Sequence, residues 1–330
     1  MLMTKGHVGI ALLAAAGLAT AGEALSATTA QAPAAALQAL ENIETNREAV
    51  SRDRYREAVT AFGDSGFRRW HEQTMDPKAG IDVFYADTAK TAVTEHDSSL
   101  EAAQSMVGVE YGFGGGSPGR WATGFIWADQ TLSASNGSGN GDLLQGYGQY
   151  SIDRGERAVF DATLAYTTVS QSVEINAQTD GQDVDAQVLD LTLRGQTHFG
   201  AQGWLMRPST ALAYRYIDQD AFDTQSAGAA SAATFDQLDW VFGVEISHPF
   251  ILNHLGNSLL TPYVGAQHHV DLIEPELRFQ GMEDSATNPA LEKTRWSAGL
   301  DWQFTPNTSA EIAYHDAVSE QVSASFQWRF

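Results

Sequence analysis

The chain has 330 residues, 43% of them hydrophobic, and a formal net charge of −22. That charge excludes nucleic-acid binding, which needs a basic footprint. The absence of cysteine excludes disulfides and thiolate zinc sites, and it fits a chain that crosses an oxidising compartment without cross-linking.

The N-terminus reads as a targeting segment. Lys5 and His7 precede "VGIALLAAAGLA", an apolar run of 12 residues. Small residues follow, with possible cleavage ends at Ala19-Thr20-Ala21, Ala24-Leu25-Ser26 and Ala30-Gln31-Ala32. The order positive, apolar, small predicts a secretory signal over residues 1–32. The run is too short for a transmembrane helix, which needs about 20 residues, and no later stretch comes near that length. The mature chain is therefore soluble outside the cytoplasm or membrane-bound without helices.

Residues 33–75 are predicted to be helical. Leu37, Leu40, Ile43, Val50, Val59 and Phe62 recur at steps of three, four or multiples of them, which makes an apolar stripe. Pro33 suits a helix start. Gly63-Asp64-Ser65-Gly66 breaks the pattern.

From about residue 79 the period changes to two. Twelve strands are predicted, over 79–90, 105–114, 120–131, 143–153, 157–169, 187–199, 203–216, 237–249, 259–270, 294–305, 308–315 and 321–330. The alternation is clean in the tenth, where Trp296, Ala298, Leu300, Trp302 and Phe304 oppose Arg295, Ser297, Gly299, Asp301 and Gln303. Connections after even-numbered strands are mostly short: "GGSPG", "RGE", "AQ" and "PN". Those after odd-numbered strands are long and polar: 91–104, 132–142, 170–186, 217–236 and 271–293. Short turns at one end and long loops at the other are the mark of an outer-membrane barrel. An even strand count puts both ends of the barrel on the short-turn, periplasmic side.

A soluble sandwich also alternates, but three features favour a barrel in lipid. The apolar faces carry Trp121, Phe125, Trp127, Tyr214, Tyr216, Trp302, Phe304, Trp328 and Phe330 near strand ends, where interfacial girdles lie. Strand lengths suit a tilted span of about ten residues. A twelve-strand meander can close, and closure leaves no backbone edge in lipid. The expected fold is an all-β, 12-stranded antiparallel transmembrane β-barrel preceded by an N-terminal α-helical segment.

The segments "SMVGVEYGFGGGSPGRWATGFIWADQTL", "LLQGYGQYSIDRGERAVFDATLAY", "MRPSTALAYRYIDQDAF", "TPYVGAQ" and "RWSAGLDWQFTPNTSAEIAYH…QVSASFQWRF" stand in an order and spacing that resemble the autotransporter β-domain. The ending "SFQWRF" resembles the C-terminal signature of outer-membrane barrels. That resemblance implies that Phe326, Trp328 and Phe330 are read by the barrel-assembly machinery. It further implies a helix in the lumen ahead of strand 1, a location in the outer membrane, passage past periplasmic chaperones, and no organic cofactor. The chain departs from the family in its cargo. Passengers in the family run to hundreds of residues, whereas about 45 separate the expected signal from the barrel. Either the cargo is vestigial, or the translocation role has been lost or reassigned.

Inward positions on the predicted strands carry Glu110, Asp161, Asp190, Asp239, Glu245, Asp301 and Glu311, with Arg194, Arg215, Arg295 and Arg329. The helical segment carries Arg47, Arg52, Arg54, Arg56, Arg68 and Arg69. A helix in the lumen would pair its guanidinium groups with those carboxylates, which they bind in bidentate fashion. A solvated periplasmic helix is the alternative. Tyr147, with Gly108, Gly112, Gly124, Gly243 and Gly265, predicts aromatic rings lying over glycine gaps.

The segments between the strands at the far end hold twenty acids against Arg278 and Lys293. They serve solubility, or they bridge through Mg²⁺ or Ca²⁺ to lipopolysaccharide phosphates. His268, His269 and Asp271, with Asp218, Asp220 and Asp223, form the one grouping suited to a rim hydrolase. "GFGGGSPGR" lacks the Lys-Ser/Thr ending of a phosphate loop and reads as a hairpin turn. The expected activity is translocation or anchoring of the chain's own N-terminal segment, with no enzyme activity. A passive pore or structural barrel is the alternative, and a rim hydrolase comes third.

Overall fold

The computed structural model describes the chain from Gly80 to Phe330, apart from 96–97, 114–118, 135–136, 154–157, 176–181, 198, 202, 221, 225–227, 231, 253–257, 280–285, 288–292, 306 and 317–319. The expected signal and the expected helical segment lie outside the described residues.

Twelve long strands form the wall. They are β1 (Gly80–Glu95), β2 (Ser98–Phe113), β3 (Gly119–Ala134), β4 (Gly137–Asp153), β5 (Ala158–Ile175) and β6 (Gln182–Thr197), then β7 (Trp204–Gln219), β8 (Ala233–Ser247), β9 (Ser258–Phe279), β10 (Lys293–Thr305), β11 (Thr308–Asp316) and β12 (Glu320–Arg329). Each pairs antiparallel with the next, and β12 pairs with β1 from Asp82↔Arg329 to Ala89↔Val322. The Phe330 amide extends the seam by donating to the Ile81 carbonyl at 2.8 Å. The ring is closed, so the strands that face lipid leave no unpaired edge.

Alternation sets the two faces. On β3, Phe125 is 67% exposed and Trp127 48%, while Ile126 between them is 0%. Aromatic and aliphatic side chains cover the outside of every strand, from Ile81 on β1 to Trp328 on β12. No helix among the described residues is long and apolar enough to cross a membrane, and here the strands do the crossing.

The strands run further than the sequence predicts. Segments 91–104, 132–142 and 170–186 are largely paired strand: β1 and β2 are paired up to Glu95↔Ser98, and β3 and β4 up to Ala134↔Gly137. These stretches are rich in Ser, Thr, Gln, Asn and Gly. They have no apolar phase because they stand beyond the lipid, and a ladder of backbone hydrogen bonds needs none. Eighteen residues of β5 at about 3.3 Å each and a tilt near 40° rise about 45 Å, against an apolar band of about 25 Å. The limit of that band is visible on the outer face. One cross-strand row reads Tyr85, Val107, Trp127 and Leu144; the next outer row reads Asp87, Ser105, Asp129 and Asp142, continuing through Ser170 to Asp185.

Rings lie over glycines as expected at two of the named positions. Phe84 covers Gly108, and Tyr147 covers Gly124; further pairs, among them Tyr263 over Gly299 and Tyr150 over Gly119, were not anticipated. Gly243 and Gly265 instead face the hydroxyls of Ser209 and Ser297, and Gly148 has open space beside it.

Candidate functional site: the barrel lumen

The inward face of the wall is built in cross-strand rows, because antiparallel register places one residue of each strand at the same level. One row reads Asp82, Glu110, Gly124, Tyr147, Ala165, Asp190, Arg215 and Gln237. Within it the Tyr147 hydroxyl donates to Glu110 Oε2 at 2.8 Å, and Arg215 Nε donates to Asp190 Oδ1 at 2.7 Å. Lower on the same wall Arg207 Nη2 donates to Glu245 Oε2 at 2.8 Å. Asp161 stands opposite Arg194 in register and accepts from Gln149 Nε2 at 3.4 Å. Asp239 accepts from Gln237 Nε2 at 2.7 Å, with His269 Nδ1 at 3.5 Å. Arg194, Arg215, Arg295, Asp190, Asp239 and His269 line one small cavity of about 110 Å³.

Three of the seven predicted lumen acids, Asp161, Asp190 and Glu245, therefore face an arginine of the wall. Glu110, Asp301 and Glu311 are placed differently. Asp301 and Glu311 stand directly opposite each other across β10 and β11, 4% and 6% exposed. Glu110, 2% exposed, stands opposite Asp82. Like charges facing each other across a ladder destabilise it, and burial makes each carboxylate depend on close donors or cations. Arg329 is the register partner of Asp82 on β12.

The lumen also holds an apolar sector that the sequence pattern did not reveal. One inward row is Ala86, Met106, Ala128, Leu143, Val169 and Ala186; the row beneath it includes Phe84, Ile126, Val188 and Ile217. These side chains are buried and form one cluster over β1 to β7. In the other direction the row of Ala86 continues as Ser325, Glu311, Asp301 and Thr261. In these two rows the wall is mainly apolar over β1 to β7 and polar over β12, β11 and β10. The rule "apolar means outward" misses this on β3, where Trp121 to Ala128 is apolar on both faces. Asp82 and Arg207 were also missed. Arg207 could have been found from the inward phase of Ser209 and Ala211, and Asp82 from that of Phe84.

The grouping suited to a rim hydrolase is divided between the two faces of the wall. His268 and His269 were expected to end the ninth strand, but β9 continues to Phe279. Adjacent residues of a strand point to opposite faces. His268 accordingly lies outside, 3.0 Å from Thr294 Oγ1, and His269 lies in the lumen cavity. Asp218 is exposed on the outer face of β7. Among the described residues no group of three or more His, Asp or Glu is arranged to hold a metal. The assembly-signal residues Phe326, Trp328 and Phe330 are exposed on the outer face, the last two with ring centroids 4.6 Å apart.

Residues 83–315 match the family described as Autotransporter beta-domain. The chain belongs to that family. Solved structures with this fold include the translocator domain of the autotransporter NalP from Neisseria meningitidis, with TM-score 0.60 and 14% identity over 86% of this chain and 97% of that one. The β-domain of the Bordetella autotransporter BrkA gives 0.54 and 14%, over 75% and 98%. The transport unit of AIDA-I from Escherichia coli gives 0.55 and 11%, over 83% and 95%. No curated protein matches the chain in sequence. The autotransporter β-domain is a translocator barrel of the Gram-negative outer membrane and not an enzyme family, and this barrel resides in that membrane.

Proposed function

We propose that the barrel translocates or anchors its own N-terminal segment, and that residues 33–75 occupy the lumen as a helical plug. The observation that carries this is the burial of the inner wall. About eight strands make a ring that its own side chains can fill, and wider rings enclose open space. In this twelve-strand ring Ile126, Leu143, Glu110 and Asp301 are nonetheless closed to solvent. The segment supplies the matching chemistry. Arg47, Arg52, Arg54 and Arg56 bring guanidinium groups to a lumen that holds Glu110, Asp161, Asp190, Asp239, Glu245, Asp301 and Glu311.

On the outside, the row from Asp87 to Asp185 stands at the outer headgroup level and faces lipopolysaccharide. Phe326, Trp328 and Phe330 present an exposed aromatic strip for the assembly machinery to engage. Single-channel recording in planar bilayers tests the plug. The whole chain is expected to stay closed and the chain lacking residues 34–75 to conduct. Equal conductance from both would leave a passive pore. In parallel, a cysteine at position 54 should resist a periplasmic thiol reagent while the barrel is folded, and fast modification would contradict a lumenal Arg54.

A further inference from the structure

The two-sided lumen wall fixes more than occupancy. An aqueous channel would need no patch of Met, Ile, Leu, Val and Phe on its inner face, and burying such side chains is favourable only against other apolar surface. The patch spans the β1 to β7 side, whereas the rows that continue across β12, β11 and β10 are Ser, Gln, Asp and Glu. β1 begins at Gly80, a few residues ahead of Phe84 and Ala86 of this patch. The chain ahead of Gly80 carries its own apolar side chains at helical spacing, namely Leu37, Leu40, Ile43, Val50, Val59 and Phe62.

We infer that the apolar sector of β1 to β7 seats the apolar stripe of residues 33–62, which holds the segment in one rotational setting with its polar side toward β10 to β12. This rests on the lumen reading above and adds an orientation to it. The arginine–carboxylate pairs alone would admit several settings, because acids occur on both sides of the wall. The apolar sector admits one. Hydrophobic contact would also let the seat hold at high ionic strength, where exposed ion pairs are screened.

The chain has no native cysteine, so paired substitutions read the contact directly. Cysteines placed singly at Leu37, Leu40 and Ile43, and at the polar positions Gln38, Asn42 and Thr45, are combined with either Leu143→Cys on β4 or Ser325→Cys on β12. Disulfide yield is measured in folded, heat-modifiable barrels, which removes misfolded variants from the count. The expected result is cross-linking of stripe positions to position 143 and of polar positions to position 325. Cross-linking of stripe positions to position 325 would overturn the orientation while leaving the segment in the lumen. Cross-linking to neither wall would overturn the seat. If the whole chain also conducted like the truncated one, the lumen reading would fall with it.

Discussion

Gly124→Ala makes a quantitative test of how the inner wall is packed. A Cβ built at Gly124 lies 2.6 Å from Tyr147 Cζ and Oη and 2.7 Å from Cε1. Ordinary carbon contacts begin near 3.5 Å, so the ring must lift by about 1 Å. It is not free to do so cheaply, because its hydroxyl donates to buried Glu110 Oε2 at 2.8 Å. Overpacking costs about 1–3 kcal/mol, and loss of a hydrogen bond to a charged acceptor about 1.5–3 kcal/mol. The sum is about 2.5–6 kcal/mol. Urea unfolding of the barrel in lipid vesicles, followed by tryptophan fluorescence and the heat-dependent gel shift, measures it. The decisive comparison is the cycle with Tyr147→Ala. In that background the added methyl meets no ring, and Gly124→Ala should cost under about 1 kcal/mol, giving a coupling of about 1.5–5 kcal/mol. A Gly124→Ala cost that is the same with or without the Tyr147 ring would refute the argument.

Leu164→Arg, placed on the lipid face of β5, should cost about 2–4 kcal/mol of folding stability in vesicles, whereas Thr163→Arg on the inner face should escape that lipid penalty. Arg215→Ala leaves Asp190 without its 2.7 Å donor in a mostly buried site. It should cost about 2 kcal/mol, less than the full buried-pair value because the pair keeps some solvent, and Arg215→Gln with Asp190→Asn should cost less than either single change. Phe330→Ala should lower the amount of folded barrel assembled in cells while leaving refolding of the purified chain in detergent unaffected. Equal yields in cells would remove Phe330 from the assembly signal.

Strand number, face assignment and the closed ring were legible because lipid imposes a simple rule: outward residues in the band are predominantly apolar, and each strand must be long enough to cross. Trp296 to Phe304 shows it at its clearest. Legibility failed wherever lipid was not the neighbour. Segments 132–142 and 170–186 read as loops because their outer face meets water and headgroups, and their continued pairing depends on backbone hydrogen bonds that leave no trace in side-chain polarity. The inward placement of Asp190 and Arg215 followed from parity, but their pairing was not foreseen, nor was the contact between Tyr147 and Glu110, because one strand separates those two and a glycine at position 124 lets the ring reach across. The apolar sector stayed hidden for a related reason. Ile126 and Leu143 neighbour Trp127 and Leu144 in sequence, and a run that is apolar on both faces carries no phase.

A nitroxide scan of residues 121–130 on β3, in vesicles, tests the central claim most directly. Oxygen, which partitions into acyl chains, should relax labels at 121, 123, 125 and 127 strongly. Labels at 122, 126 and 128, with Gly124 left unlabelled beneath the Tyr147 ring, should be shielded from both oxygen and a polar nickel chelate. Removing residues 34–75 should then expose the even-numbered set to the chelate alone. Equal access at odd and even positions would contradict a lipid-facing barrel, and even-numbered labels open to the chelate in the whole chain would contradict a filled lumen.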